Sequence, residues 1–350
     1  MSLALVTGAT GLVGSYIVDR LLADGWSVRA FARSPDRARL SLPKAVEVVP
    51  GDVLDEASFA RAAAGCHTIF HTAANVLARG GWDAYRITNV EGTRNAIMAA
   101  ERSGRGTRLL QLSSVAVYGP SRRYEAAKRG ERTGEDTELG PLRDGAYYAR
   151  SKRESEELVL EAHRQGRVWA TAVRPDVIYG RHDRQFVPKM ALLARSGVIP
   201  LLRRGRSIMA IVHAANVADG AVRAATTDIA GGRVYNLAND YDVSVRRFFE
   251  LASEGLGRRL LFLPLPMWAA KGALRGARVI ARTVSGGRYS MIGSSALDFI
   301  SLDNPFSSER ARKELGWAPS VRPEIGIPDA FRWWKERRAN EKGATFESRP

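Results

Sequence analysis

The chain has 350 residues, 45% hydrophobic and 26% charged, long enough for one large α/β domain with an attached lobe or for two domains. A single cysteine, Cys66, excludes an internal disulfide framework, and the longest apolar stretch, Leu260 to Ala270, has eleven residues with two prolines, too few to span a bilayer as a helix. Lys and Arg number 53 against 37 Asp and Glu, a net +16 that reads as dispersed over solvated loops and helices, so no nucleic-acid partner is expected. With no leader pattern ahead of the first apolar run, a cytoplasmic protein is expected.

That first run, Leu3-Ala4-Leu5-Val6, reads as a buried strand. Thr7-Gly8-Ala9-Thr10-Gly11-Leu12-Val13-Gly14 follows, and Val13, Ile17, Val18, Leu21 and Leu22 then recur at helical spacing. Glycines on a strand-to-helix turn let a backbone approach a pyrophosphate while the helix N-terminus offers unpaired N–H groups. Gly8, Thr10, Gly11, Leu12 and Val13 are therefore candidate contacts to a dinucleotide.

Further strands are expected at Ser27 to Ala32, Val46 to Val49, Thr68 to His71, Leu109 to Ser113 and Val168 to Val173, with long helices at Ala84 to Arg102 and Ala146 to Arg164. This alternation predicts an α/β fold with a doubly wound, mostly parallel sheet. The end of the second strand distinguishes the dinucleotides. An NAD site usually has an acidic residue there for the ribose 2′-hydroxyl. Here Arg33 and Ser34 stand in its place with Arg37 nearby, a set suited to a 2′-phosphate, so NADP(H) is expected over NAD(H). Asp52 and Val53 follow the third strand, either at the adenine edge or in a plain turn. The polar stretch Ser121 to Gly145 is long enough for a functional loop.

Tyr148 and Lys152 lie four residues apart on one helical face, so the ammonium can sit beside the phenol and lower its pKa toward neutrality. Tyr147 lacks such a lysine and is expected to be a pocket or packing residue. Leu110 to Gly119 reads as a buried strand with Ser113 and Ser114 at its carboxyl end, where ligands of open α/β sheets bind, so Ser114 would hydrogen-bond a reacting oxygen. The five histidines show no metal-ligand spacing, and no metal is expected.

Together Thr7 to Gly14, His71-Thr72-Ala73-Ala74, Asn89 to Asn95, Ser113-Ser114, Tyr148 with Lys152, and Arg174-Pro175 resemble the extended short-chain dehydrogenase/reductases of the NAD-dependent epimerase/dehydratase superfamily. The resemblance implies a Rossmann domain over 1–176, its sheet completed by about 208–238, a smaller substrate lobe over 177–207 and 239–335, and a tail at 336–350. It implies that Tyr148 is the acid/base, that Ser114 orients the substrate, that Lys152 also holds the nicotinamide ribose and that Asn89 steadies the central helix. Ala73 and Ala74 would line the cofactor, Pro175 and Val177 would wall the nicotinamide, and a homodimer would form through the two long helices. Asn216 stands where many members carry Asp.

The run Leu260 to Trp268 and the segment Phe306 to Pro319 are similar to those of 3β-hydroxysteroid dehydrogenase-like members, and Val28 to Ala30 with Arg33 to those of dihydroflavonol reductases. An apolar alcohol or ketone is the expected substrate. The alternatives are a nucleotide-sugar epimerase or dehydratase and a non-catalytic NADP-binding sensor. Over Pro264 to Arg282, an apolar head runs into Lys271, Arg275, Arg278 and Arg282 on one face of an expected helix, either a lobe helix with a solvated side or a segment resting on anionic membrane.

Overall fold

A computed structural model of the chain describes residues 2–76, 81–104, 106–119, 129–238, 241–266, 268–269, 272 and 303–347. The chain divides into two compact units, one of residues 1–178, 212–240 and 306–320, the other of 179–211, 241–305 and 321–350.

The first unit is built on strands β1 (Leu3–Thr7), β2 (Ser27–Ala32), β3 (Glu47–Pro50), β4 (Thr68–His71), β5 (Arg108–Leu112) and β6 (Ala170–Pro175). With Val234–Leu237 they form a seven-stranded sheet in the order Val234–Leu237, β6, β5, β4, β1, β2, β3, every pairing parallel. Sheets of this kind are buried on both faces. Successive residues of β1 accordingly enter different cores. Ala4 and Val6 pack with α1 (Leu12–Ala23) and the helix Ala214–Thr226, while Leu5 packs with Phe59, Ile97 and Val159 from the opposite layer. That opposite layer contains α3 (Glu56–Ala63), α5 (Gly92–Arg102) and α6 (Tyr147–Arg164), whereas α2 (Pro35–Ser41) links β2 to β3 and α4 (Gly81–Tyr85) precedes α5.

Four expectations need correction. The helical pattern at Ala84 to Arg102 is interrupted: α4 passes into a π-helical segment, Arg86–Glu91, before α5 begins. The strand Ile211–His213 lies outside the seven-stranded sheet, which is completed at its edge by Val234–Leu237 alone. Phe306 to Ser320 belongs to the first unit rather than to a substrate lobe, because Trp317 is buried and its indole N–H donates to the Asn216 carbonyl at 2.9 Å while the Asn216 side chain accepts from Ser320 N at 3.1 Å. Residues 336–347 form no separate tail, since the helix Pro323–Glu347 runs through them.

The charge is not dispersed either. The second unit has 23 Lys and Arg against 11 Asp and Glu, a net +12, while the first has 30 against 26. In the second unit the helices Val245–Leu256 and Pro323–Glu347 pack together around Phe248 and Phe331. Beside them stands a two-stranded parallel pairing of Val198–Leu201 with Leu261–Pro264. Lys271, Arg275, Arg278 and Arg282, expected to share one helix face, and residues 120–128 of the long polar loop lie outside the described residues.

Candidate active site

The site lies in the first unit, at the carboxyl ends of β1, β2, β4, β5 and β6. At the end of β1 the chain reverses through Gly8, whose φ of +68° is open to glycine and strained for other residues, and a Cβ there would come within 2.9 Å of Ala73 N. A Cβ on Gly14 would lie 2.2 Å from the Gly8 carbonyl oxygen. The first turn of α1 thus packs directly on the Gly8 turn. Gly11 caps α1 in an extended conformation without any side-chain hydrogen bond, so the N–H groups of Leu12, Val13 and Gly14 have no partner within the helix. Thr10 and Gly11 are exposed beside them. This cradle of backbone donors, too close-packed for a Cβ at Gly14, fits a dinucleotide pyrophosphate. Val13's side chain is buried in the core, which leaves only its N–H for a ligand.

The Thr7 hydroxyl, at the end of β1, accepts from Thr72 N and Ala73 N, both at 3.2 Å, and meets His71 Nδ1 at 2.9 Å. The Ala73-Ala74 segment is thereby held beside Gly8. Two donors into Thr7 leave its own proton for Nδ1, which assigns the imidazole proton to Nε2. Burial, with a smaller contribution from the charge on Lys152, pushes the His71 pKa down to about 3, so the ring is neutral.

Arg33 is exposed just past β2 and has no ion-pair partner among the described residues. Asp36, the nearest acid in sequence, is taken up by Arg39 at 2.8 Å, and Ser34 caps α2 without a side-chain bond. A 2′-phosphate would meet two uncompensated cations there, Arg33 and Arg37. Asp52, in contrast, closes its own turn by accepting from Leu54 N at 3.0 Å, and the Val53 carbonyl accepts from Asn95 Nδ2 at 2.8 Å. Asp52 thus closes the turn that follows β3.

β5 ends at Leu112, and Ser114 follows in extended conformation, its hydroxyl accepting from Ala116 N at 3.2 Å. Tyr148 stands in the first turn of α6, half-buried, with the Tyr85 ring edge-on at 6.4 Å, and its phenol lies on the side of the Ser114 hydroxyl. Lys152, one turn on, is buried and donates to the Leu112 carbonyl at 2.6 Å. This corrects the expected pairing: the ammonium is engaged by a backbone carbonyl rather than set against the phenol. Burial consequently dominates, pushing the Tyr148 phenol up to about 12 against the opposing influence of Ser114. Burial also lowers Lys152 to about 8, with Glu156 opposing the shift. Tyr147 is partly exposed and packs toward Trp82, as a residue without the lysine should.

Asn89, buried in the π-helical segment, accepts from Asn75 N at 2.7 Å and donates to Asn75 O at 3.0 Å and to Ser151 Oγ at 2.9 Å. Ser151 lies between Tyr148 and Lys152, and Ser155 donates to the Asn89 carbonyl at 2.7 Å. Asn89 thus ties α6 to the segment after β4, and its carbonyl, within the π-helical segment, also accepts from Thr93 Oγ1 at 2.7 Å. Pro175 closes β6, with Val177 half-buried two residues later.

Sequence reasoning missed the group that fixes α6 from below. Glu156 and Arg174, 4% and 5% exposed at their side chains, form a two-bond ion pair at 2.9 and 2.5 Å; Arg174 also donates to Tyr118 Oη at 2.9 Å, and that hydroxyl donates to Asn236 Oδ1 at 2.9 Å. The signal was present in the spacing: Tyr148, Lys152 and Glu156 recur every four residues, which carries an acid onto the buried face of α6.

The model of the NAD dependent epimerase/dehydratase family matches residues 4–238, and the chain belongs to that family of enzymes, which work with a nicotinamide cofactor. It is 29% identical over 327 residues to a 4-hydroxy-2-methyl-3-oxo-4-farnesyl-3,4-dihydroquinoline-1-oxide ketoreductase of Stigmatella aurantiaca, covering 93% of this chain and 95% of the relative. It is 27% identical to a 3-beta-hydroxysteroid dehydrogenase of Mycolicibacterium neoaurum, with 95% and 91% covered. The crystal structure of gox2253 superposes with a TM-score of 0.73 at 26% identity over 96% of this chain and 99% of that one. MoeE5 in complex with UDP-glucose and NAD shares the fold at 22% identity, with a TM-score of 0.68 and coverage of 96% and 99%. Among the described residues, no helix is long and apolar enough to cross a membrane.

Proposed function

We propose that the chain is an NADP(H)-dependent reductase interconverting a ketone and an alcohol on an apolar substrate. The observation that carries this reading is the gathering of Ser114, at the carboxyl end of β5, with Tyr148 and the buried Lys152 in the first two turns of α6. The Tyr148 phenol is raised to about 12 and therefore protonated at neutral pH. A carbonyl oxygen between the two hydroxyls would accept a hydrogen bond from each, and Ser114 would hold it in line with the phenol. Bound in the Gly8–Gly14 cradle, the dinucleotide would supply or take up the hydride at the carbonyl carbon. As negative charge gathers on the oxygen, Tyr148 Oη gives up its proton to form the alcohol, and a cationic Lys152 one turn along offsets the phenolate left behind. Asn89 keeps both residues in position through Ser151.

Arg33 and Arg37, with no acid at the end of β2, support NADP(H). The substrate class is supported by the relatives, whose names include a ketoreductase of a farnesyl compound, a 2-alkyl-3-oxoalkanoate reductase of Shewanella oneidensis and a 3-beta-hydroxysteroid dehydrogenase. The test is NADPH consumption with long-chain 2-alkyl-3-oxo acids and with oxosteroids, set beside product analysis of UDP-glucose incubated with the enzyme and oxidised dinucleotide. Consumption with an apolar ketone and no conversion of UDP-glucose to an epimer or dehydrated product is expected. Turnover of the nucleotide sugar alone would overturn the reading.

A further inference from the structure

Within the second unit, the helix Phe186–Leu193, the turn after it, the end of the helix Val245–Leu256 and the helix Pro323–Glu347 enclose a groove of about 230 Å³. Three guanidinium groups line it, those of Arg195, Arg258 and Arg338, together with Leu192, Leu256 and Trp334, and no Asp or Glu does. None of the three arginines has a carboxylate partner among the described residues. Arg258 donates to the Arg195 carbonyl at 3.1 Å, and Arg338 lies over the Trp334 ring at 5.5 Å. Like charges collected around one concavity repel each other, and none of these contacts neutralises them, so an anion seated among them would stabilise the arrangement. The groove belongs to the unit that holds +12 of the net charge.

Large apolar side chains stand exposed around it. Leu192 is 60% and Leu193 45% exposed at the groove's own helix end. Leu261 N donates to the carbonyl of Gly197, two residues past Arg195, and from there the strand Leu261–Pro264 shows Leu261 at 58% and Leu263 at 48% exposed. A small soluble anion would use the arginines and leave these side chains in water. A bilayer surface uses both, since phosphate headgroups meet the cations while the leucines enter the headgroup and acyl boundary.

We infer that this groove and its apolar rim are a docking surface for anionic phospholipid membrane, with a lipid phosphate seated between Arg195, Arg258 and Arg338. The inference is independent of the reading of the first unit. Attachment is peripheral and salt-sensitive, because each basic group near such a surface contributes about fivefold in partitioning, and three contribute on the order of a hundredfold.

The experiment is co-sedimentation of the full chain with vesicles of phosphatidylcholine alone and of phosphatidylcholine mixed with phosphatidylglycerol, at low and at raised salt. The native chain should sediment with the mixed vesicles only, and less as salt rises. Combined Arg195→Gln, Arg258→Gln and Arg338→Gln should lose on the order of a hundredfold in partitioning, while Leu192→Ser with Leu193→Ser should weaken attachment at every salt concentration. A control carrying Arg61→Gln, Arg94→Gln and Arg164→Gln removes the same charge from the first unit and should retain attachment. Melting temperature and NADPH affinity, measured on each variant, separate loss of the surface from loss of the fold. Equal retention on neutral and mixed vesicles overturns the inference, as does a control that falls as far as the groove variant. So does a groove that holds inorganic phosphate in solution in a chain that sediments with neither vesicle.

Discussion

Replacing Glu156 by Ala removes one half of a buried ion pair and leaves the other half, the Arg174 guanidinium, almost fully out of water. Arg174 keeps a single polar partner, Tyr118 Oη at 2.9 Å, having lost the two carboxylate bonds at 2.9 and 2.5 Å. Breaking a buried pair from one side costs about 3 to 5 kcal/mol, because the remaining charge is uncompensated. In a chain of this size that corresponds to a melting temperature lower by roughly 4 to 7 °C. Removing both charges is different in kind: Glu156→Leu together with Arg174→Met leaves no stranded ion, and Tyr118 retains Asn236 as its acceptor. The double variant should therefore recover most of the lost stability. Thermal melts of the wild type, Glu156→Ala and the double variant, followed by circular dichroism, decide the matter. A Glu156→Ala protein that melts with the wild type would refute the reasoning, and so would a double variant less stable than the single one.

Arg33→Asp should weaken NADPH by about tenfold or more relative to NADH, the worth of charge-assisted bonds to a phosphate, measured by fluorescence titration of both cofactors; an unchanged ratio contradicts the assignment. In the reducing direction, the rate should fall as pH rises through about 8, where Lys152 loses its proton, and Lys152→Met should abolish that limb of the profile as well as most of the rate. His71 sets an acid limit on stability. Unfolded, the ring takes up a proton below its ordinary 6.5, while the buried ring stays neutral down to about 3, so its contribution is intact above 6.5 and is lost progressively as pH falls toward 3. At about pH 4.5 the deficit is about 3 kcal/mol, and His71→Gln should flatten the fall of melting temperature between neutral and acid pH. Parallel slopes for the two proteins would exclude a buried neutral imidazole.

The parts of the structure legible in the sequence are those in which one residue type answers one local demand. β2 and β4 occupy the expected ranges because apolar runs bounded by turn residues have no other way to bury both faces of a parallel sheet. The glycine turn was legible because Gly14 tolerates no Cβ against the Gly8 carbonyl. Ser114 stands at a strand's carboxyl end and Tyr148 at a helix start, the positions at which ligands of open α/β sheets bind, and that is why both were named from the sequence. What escaped depends on competition between neighbours. Spacing alone put Lys152 beside the phenol, yet the Leu112 carbonyl, from a strand forty residues earlier, holds the ammonium. The π turn at Arg86–Glu91 was invisible because the partners of its Asn89, Ser151 and Ser155, lie in a helix more than sixty residues away. The concentration of charge in the second unit was hidden because that unit is assembled from three separate stretches of the chain.

The most direct test of the account is single-turnover reduction of an apolar ketone by NADPH, comparing the wild type with Tyr148→Phe. The account predicts that the variant binds NADPH as the wild type does and reduces the ketone slower by about 10² to 10⁴, the usual cost of removing a positioned proton donor. A Tyr148→Phe enzyme that turns over at the wild-type rate would contradict it.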